Sequence, residues 1–380
     1  MDTIRLLKGF EIELFTGTYE SHIGISHEIQ KIFPDFVKEP DIRNVEYITE
    51  PHKDYQILSS SLANPRKRLR KWLKERELTI IPSSTLCFEH DTKFQRSDPQ
   101  NSYHEFIEHS YGTSVATSSV HINLGIDNPD KLFAAIRLVR CEASLYLALS
   151  ASSPFINGVL SGNHSQRWMQ FPKTPSNVPF FENHKDYINW IEKKIKNKEM
   201  QNIRHFWSSI RPNGPKRPYK LDRLELRICD FVPDINLLLA ITALLELRVL
   251  FLFENMLDTD PLVCSKNKFH ELTEICDLNE LKVAKNSLNA ELIDWKSGKK
   301  IRCSEWIKKI LEQISPLAER LDMQKELEPL YKVLREGNNS INWLKKYSEG
   351  CSIKEIMKIE IENMITNEEE ILNRLNQYKI

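Results

Sequence analysis

Residues 9–14 read GFEIEL, a stretch in which two glutamates, Glu11 and Glu13, alternate with apolar residues. Side chains two positions apart on a β-strand point to the same face of a sheet. Both glutamates therefore lie on one face, and the apolar side chains lie on the other. Like charges on one face of a sheet repel each other. The stretch predicts a strand with one core-facing side and one acidic side that needs a cation.

Three more short segments that are rich in β-branched residues show the same alternation, at 45–49, 120–124 and 223–230. If they join one sheet, these polar residues share the face of the two glutamates: Glu46, His121, Asn123, Glu225 and Arg227. A one-sided antiparallel sheet ordinarily exposes its polar face to water, so each strand alone also fits a solvated surface. Together, carboxylates and one imidazole suit Mg²⁺ or Mn²⁺, ions that commonly couple to nucleotide phosphates. Arg227 and Arg211 then bind anionic substrate oxygens.

Alternating segments dominate the first 230 residues, and helical periodicity dominates the remainder. The predicted strands are 4–16, 45–49, 79–81, 85–88, 115–126 and 223–230. The predicted helices run from Pro129 to about Leu149 and near 235–257, 278–290, 303–321, 323–336 and 353–378, and residues 211–218 are predicted as a loop. The pattern predicts an α+β fold with helices packed on one face of an antiparallel sheet, a strand-rich part at 1–233 and a helical part at 234–380.

The composition favours neither a nucleic-acid role nor a membrane role. The 380 residues carry 53 Lys and Arg and 53 Asp and Glu, so the formal net charge is zero and no global field attracts polyanions. The basic run at 65–74 leaves a nucleic-acid binder open as an alternative, but its apolar edge, Leu69, Trp72 and Leu73, is typical of a solvated surface helix. The most apolar window, 235–257, is interrupted by charged residues and predicts a buried helix rather than a membrane span.

Cysteine usage and the first residues predict a cytoplasmic protein. Seven scattered cysteines without a CxxC pair indicate neither a disulfide framework nor a zinc knuckle. The N-terminal residues lack the apolar core of a signal peptide, so we expect no export.

Motifs of several other enzyme classes are absent from the sequence. There is no GxxxxGK[ST], GxGxxG or GxSxG, so P-loop, Rossmann and α/β-hydrolase sites are unsupported. His104 and His109 stand five residues apart, about 140° around a helix, and cannot share one zinc ion.

Six blocks of the sequence, in this order, resemble motifs of the glutamate–cysteine ligases and related carboxylate-amine ligases. The blocks are GFEIEL (9–14), VEYIT (45–49), VHINLG (120–125), LALSASSPF (147–155), RP (211–212) with LELRICD (224–230), and NELKVAKNSLNA (279–290). The catalytic domain of this family is similar to that of glutamine synthetase. The compact length is most similar to the cyanobacterial type of these enzymes.

This resemblance implies a single catalytic domain over residues 1–380, built on a curved antiparallel sheet with a helical C-terminal third. It also implies a reaction in which ATP phosphorylates the γ-carboxylate of L-glutamate and the amine of L-cysteine displaces the phosphate. The products would be γ-glutamylcysteine, ADP and phosphate, in the first step of glutathione synthesis. We expect small-molecule substrates and a monomer or homodimer.

The resemblance assigns roles to individual residues as well. The implied Mg²⁺ ligands at the ATP phosphates are Glu11, Glu13, Glu46, His121 and Glu225. Arg227 and Arg211 would hold the transferring phosphoryl group or a substrate carboxylate. Arg167 falls where relatives carry T-G-x-x-S-x-R near the substrate, with Ser161 in place of the threonine, and Asn123 replaces a second histidine of some relatives. We expect both Arg167 and Asn123 to bind substrate or ATP.

Two alternatives of other kinds stay open at this point. The same phosphate-binding machinery would serve a carboxylate-amine ligase that acts on a different amine, because amine specificity is determined by loops whose geometry the sequence does not give. The charged amphipathic segment 303–378 would also fit a helical interaction protein, which has no need of Glu11, Glu13 and Glu225 on one sheet face.

Overall fold

The computed structural model describes residues 5–90 and 92–377. Its strands are β1 (Lys8–Gly17), β2 (Phe36–Lys38), β3 (Asn44–Ile48), β4 (Thr79–Ile81), β5 (Val120–Gly125), β6 (Phe155–Ile156), β7 (Val159–Leu160), β8 (Ile210–Asn213), β9 (Arg223–Leu226), β10 (Glu291–Ile293) and β11 (Lys300–Arg302). Its helices are α1 (Ser26–Ile32), α2 (Tyr55–Lys74), α3 (Ser102–Tyr111), α4 (Pro129–Ser150), α5 (Gln166–Gln170), α6 (His184–Lys196), α7 (Ile235–Glu254), α8 (Met256–Thr259), α9 (Pro261–Cys264), α10 (Phe269–Asn286), α11 (Cys303–Arg320), α12 (Gln324–Glu336), α13 (Asn339–Ser348) and α14 (Ile353–Gln377).

One antiparallel sheet is built from seven of the described strands. Six follow the order β2-β3-β1-β5-β9-β8, and β4 pairs with the far end of β1. The alternation in β1 explains its central place, since Phe10, Ile12 and Leu14 are at most 1% exposed. Helix α4 packs against β8 and β9 and against α7. The predicted α+β fold is confirmed.

Helix α7 is the apolar window of the sequence, and it lies inside the protein. Asp234 caps its N-terminus by accepting hydrogen bonds from the backbone amides of Asn236 and Leu237. The helix is long and apolar enough to cross a membrane, but nearly all of it is buried against other elements. The prediction of a buried helix is confirmed.

Several sequence predictions of strands are wrong in detail. Residues 85–88 form no strand: the apolar side chains of Leu86 and Phe88 are buried in a loop that belongs to a second hydrophobic cluster. The predicted loop at 211–218 begins with β8, whose proline is tolerated because β8 is an edge strand. The strands predicted at 115–126 and 223–230 are shorter in the structure, and the strand predicted from residue 4 begins at Lys8, with Ile4 outside the described residues.

The helical predictions hold except at some boundaries. The helix predicted at 278–290 begins already at Phe269, where the side chain of Glu271 accepts a hydrogen bond from the backbone amide of Lys268. The sequence reading missed α13 and the β10-β11 hairpin, and the predicted end at residue 378 lies outside the described residues.

The basic run at 65–74 is part of α2, and the prediction of a solvated surface helix is wrong for part of it. Arg66 is fully buried, and its guanidinium donates to the Tyr47 hydroxyl and to the carbonyl oxygen of Pro233. Arg70 pairs with Glu368 of α14. These cations hold the fold together and are not a free phosphate-binding surface.

Candidate functional site

The register of the sheet brings the predicted polar residues onto one face. Glu13 lies directly opposite Glu46 of β3, and Glu11 lies opposite His121 of β5. On the other side of β5, Asn123 pairs with Glu225, and Glu225 pairs in turn with Arg211 of β8. Arg227, two residues beyond Glu225, reaches the same group. We call this set of side chains the acidic face.

His121 is the centre of the acidic face. Its Nδ1 lies 2.9 Å from Glu11 Oε2 and 3.8 Å from Glu225 Oε1, and its Nε2 lies 3.8 Å from Glu13 Oε1. The Ser119 hydroxyl lies 3.1 Å from His121 Nε2 and donates to Glu13 Oε2 at 2.7 Å. The imidazole therefore sits between three carboxylates, within reach of all of them.

Glu225 is the anionic centre of a group of arginines. Arg211 binds it with two parallel hydrogen bonds, from Nε at 2.7 Å and from Nη2 at 3.0 Å, and Arg227 Nη1 also donates to it. Asn213 Nδ2 donates to Oε2 at 2.7 Å. Burial alone raises the pKa of Glu225, but the guanidinium groups of Arg211 and Arg227 outweigh it and hold the pKa well below its usual range. Glu225 is thus ionised although fully buried.

A second group of carboxylates lies at the other side of β1 and includes one residue that the sequence reading missed. Ligand atoms of Glu13, Glu39 and Glu46 lie within 4.8 Å of one another, and so do those of Glu11, Glu46 and His121. Burial and the charge of Glu13 raise the pKa of Glu39 to about 8. Burial and the charge of Glu39 likewise raise the pKa of Glu46 well above its usual range. These carboxylates repel one another.

Glu39 follows the edge strand β2, which pairs with β3. The signal that would have found it is weak: an aromatic and a β-branched residue between prolines at 34 and 40. A strand of three residues is too short for alternation to reveal which face its neighbours share.

The acidic face suits divalent cations. With Glu39 added to the acidic face, the two groups of possible metal ligands offer the carboxylates of Glu11, Glu13, Glu39 and Glu46 and the imidazole of His121. Hard oxygen donors with a single nitrogen are the donor set of Mg²⁺ and Mn²⁺ rather than of zinc or copper. Burial and then the neighbouring carboxylates raise the pKa values of Glu39 and Glu46, and a bound cation would offset both effects. Among the described residues, the two groups of possible metal ligands both lie here, and His104 and His109 belong to neither.

A cavity of about 570 Å³ opens at one end of the acidic face. Leu7, Phe10 and Pro51 contribute to its apolar wall, and Asn123 and Arg223 lie where it meets Glu11. Arg223 Nε donates to Asn123 Oδ1 at 3.1 Å, while Asn123 Nδ2 lies 3.3 Å from Glu11 Oε1. The cavity therefore joins an apolar compartment to a polar end beside the carboxylates.

Arg167 contacts the backbone next to the arginines that surround Glu225, and its guanidinium is not one of the groups that bind Glu225. Its side chain is 2% exposed, and its guanidinium donates to the carbonyl oxygens of Ile228 and Arg227, each at 3.0 Å. In this geometry it fixes the backbone that carries Arg227. Its predicted contact with substrate stays a prediction.

The LALSASSPF and LELRICD blocks meet at a buried carboxylate. Asp230 accepts hydrogen bonds from the Ser152 amide and from the hydroxyls of Ser153 and Ser165. The neighbouring thiol of Cys229 is fully buried, which raises its pKa to about 12. These residues support the site without a reactive group of their own.

Comparison with known proteins gives matches along most of the chain. The family model of glutamate-cysteine ligase family 2 (GCS2) matches residues 7–367. A protein of Solibacter usitatus with the provisional name glutamate–cysteine ligase 2 is 23% identical over 324 residues, covering 84% of this chain and 80% of that protein. A protein of Sorangium cellulosum with the same provisional name is 25% identical over 320 residues, covering 82% and 80%.

Two solved structures share the fold. Glutamate–cysteine ligase of Francisella tularensis, crystallised in complex with AMP, is 15% identical with a TM-score of 0.70, covering 98% of this chain and 93% of that one. A bifunctional glutathione synthetase of Pasteurella multocida, also 15% identical, has a TM-score of 0.72, and 96% of this chain aligns with 53% of that longer protein. Since the family model matches nearly the whole sequence, the chain belongs to glutamate-cysteine ligase family 2.

Proposed function

We propose that the protein is an ATP-dependent glutamate–cysteine ligase, which joins the γ-carboxylate of L-glutamate to the amine of L-cysteine. The observation that carries the proposal is the acidic face. There, two sets of possible metal ligands have Glu46 in common and lie beside the arginines around Glu225. Family membership and the names of the relatives support the choice of substrates.

We assign Mg²⁺ to the acidic face, with Mn²⁺ as the other ion that fits. Glu13, Glu39 and Glu46 would hold one ion, and Glu11, Glu46 and His121 would hold another. Glu225, 3.8 Å from His121, stays a predicted ligand of the second ion, and one of the donors that now bind it would have to give way to the metal. When bound, the ions neutralise phosphate oxygens and favour attack on the γ-phosphorus.

We place ATP in the cavity of about 570 Å³. Its apolar wall, which includes Leu7 and Pro51, suits the adenine ring, and Asn123 and Arg223 suit the phosphate oxygens. In this orientation the γ-phosphoryl group would lie towards Glu11, the carboxylate that lines the cavity. Arg167 remains a predicted ligand of the substrate.

The reaction then needs positioning and charge, not a protein nucleophile. A γ-carboxylate oxygen of glutamate bonds to the γ-phosphorus while the bond from phosphorus to the bridging oxygen of ADP breaks. Arg211 and Arg227 balance the charge of the transferring group. The cysteine amine then bonds to the acyl carbon, the carbon–oxygen bond to phosphate breaks, and the departing phosphate takes the amine proton. The products are γ-glutamylcysteine, ADP and phosphate.

A cytoplasmic location and a monomer or homodimer are part of the same proposal. The scattered cysteines without a CxxC pair support a reducing compartment.

The test is ADP release from ATP and Mg²⁺ with L-glutamate, measured with and without L-cysteine and with a panel of other amines. We expect release that depends on cysteine, together with a product of the mass of γ-glutamylcysteine. Release only with another amine would keep the ligase chemistry and reject cysteine. No release with any pair would contradict the proposed function.

A further inference from the structure

Arg217 lies in the loop between β8 and β9, and its guanidinium is buried beside Glu225. The side chain is 8% exposed, and Nη2 donates to the carbonyl oxygen of Ile203 at 2.8 Å. Nη1 lies 4.0 Å from Glu225 Oε2, too far for a hydrogen bond. Nη1 is buried and makes no hydrogen bond to any residue in the part of the chain that the structure describes.

Glu225 has no free position for this donor. A carboxylate offers about four lone-pair sites. Oε1 accepts from Arg211 Nη2 and Arg227 Nη1, and Oε2 accepts from Arg211 Nε and Asn213 Nδ2. Arg217 Nη1 is therefore a buried donor without an acceptor among the described residues, and such a donor carries a desolvation cost.

The local charge points to an anion as that acceptor. Three guanidinium groups, of Arg211, Arg217 and Arg227, lie within 4.0 Å of one carboxylate. Burial, followed by the charge of Arg211, lowers the pKa of Arg217 to about 10, which still leaves it cationic at neutral pH. Glu11 and Glu13 also act on Arg227, and Glu11 acts on Arg211. A cation held by these carboxylates would take up their charge and leave three guanidinium groups beside one carboxylate. Buried guanidinium groups in such excess are the usual ligands of phosphate oxygens.

We propose that Arg217 completes, with Arg211 and Arg227, a binding site for a tetrahedral phosphate oxyanion. The inference rests on the proposed function and extends it: Arg217 binds the phosphoryl group during its transfer and the inorganic phosphate before its release. Its hydrogen bond to the Ile203 carbonyl holds the guanidinium in place, so Nη1 is already ordered when the anion binds.

The experiment compares wild-type enzyme with Arg217→Gln and Arg217→Lys, and it uses Lys216→Gln as the matched control. Lys216 is the exposed neighbour in the same loop. Two quantities are measured: steady-state turnover with ATP, Mg²⁺ and L-glutamate plus the accepted amine, and binding of inorganic phosphate to the enzyme with Mg²⁺ and ADP by calorimetry. Thermal unfolding of each variant reports whether it is folded.

We expect Arg217→Gln to lower kcat about 100-fold with KM for ATP within about threefold, because the lost contact acts on the transferring group. Phosphate affinity should fall at least about tenfold, and Arg217→Lys should recover part of both losses because it keeps the charge. Lys216→Gln should match the wild type in both assays.

The outcomes separate this inference from the proposed function. If Arg217→Gln and Arg217→Lys keep both kcat and phosphate affinity within about twofold of wild type, Arg217 binds no phosphate and the inference fails. If the wild type turns over no substrate pair, the proposed function fails, yet phosphate binding that is lost in folded Arg217→Gln still supports the oxyanion site. Absence of phosphate binding and of turnover in the wild type overturns both.

Discussion

Two buried ion pairs of the helical core match one cation with one anion, whereas the charges on the acidic face are not matched in this way. Arg248 of α7 binds both oxygens of Glu142 of α4, at 2.9 and 2.8 Å, and its remaining Nη1 donates to Gln313. Arg137 and Asp260 form a similar pair with two parallel hydrogen bonds, at 2.8 and 2.6 Å. In each pair, one cation meets one anion, and the spare donors find oxygen acceptors.

The acidic face has carboxylates in excess on one side and guanidinium groups in excess on the other. Burial and neighbouring carboxylates raise the pKa values of Glu39 and Glu46, while three arginines lie against Glu225. Such imbalance costs stability unless ligands supply the missing charges. The core pairs are complete without a ligand. Charge balance, more than burial, therefore distinguishes these two structural ion pairs from the candidate site.

The largest effect should follow from removing one carboxylate beside His121. Glu11→Gln keeps the shape of the side chain but removes the charge that a cation needs, so we expect ADP release to fall about 10³-fold or more. Glu28→Gln, on the exposed side of α1, is the control and should retain full turnover. Turnover of Glu11→Gln within tenfold of wild type would contradict the assignment of the acidic face as the metal site.

Removing one partner of a core pair should act on stability. Arg248→Met leaves Glu142 buried without its cation, so the free energy of unfolding should fall by about 3–5 kcal/mol. Arg320→Met is the matched control, because the pair of Arg320 and Glu254 is exposed and should contribute at most about 1 kcal/mol. Denaturant unfolding measures both. Equal losses of unfolding free energy in the two variants would show that the buried pair stabilises the fold no more than the exposed pair does.

The strands of the acidic face were predictable because polar and apolar residues alternate along them, and this alternation shows which residues share a face. Glu11, His121 and Glu225 each stand between apolar neighbours that fill the core, so their common face followed from period two. The same logic fails where a strand is short or is an edge. Strand β8 contains a proline, so its sequence predicts a loop, and only its pairing with β9 in the structure shows that it is a strand.

Other features depend on tertiary packing that no local pattern records. Leu86 and Phe88 have the apolar character of strand residues, but they lie in a loop that is buried between the ends of β1 and β4 and the helices α13 and α14. Glu39 joins the site because β2 pairs with β3, and Arg217 joins it because its loop folds back onto Glu225. Burial of charged residues from loops is therefore the part of the site that sequence reasoning misses.

A smaller effect should come from Arg167, whose guanidinium holds the backbone under Arg227. Arg167→Lys cannot serve both carbonyl oxygens in the same way, so we expect kcat to fall about 10- to 100-fold with little change in KM for glutamate. Met169→Ala, on the exposed side of the same helix, is the control. A large rise in KM for glutamate with unchanged kcat would instead identify Arg167 as the substrate ligand that the family resemblance implies.

The smallest effect is the one that tests the charge excess directly. Glu46 lies opposite Glu13 and close to Glu39, so without divalent cations Glu46→Gln should relieve repulsion and raise the free energy of unfolding by about 1 kcal/mol. At Mg²⁺ of about 100 times its dissociation constant, the wild type should gain about 2.7 kcal/mol, a gain that Glu46→Gln should largely lose. Denaturant unfolding in EDTA and in Mg²⁺ would then show the order of the two proteins reversed. A Glu46→Gln variant that is less stable than wild type in EDTA would contradict the charge excess. It would mean that other residues balance the charge of Glu46 without a metal, as they do for Glu142 and Asp260 in the core pairs.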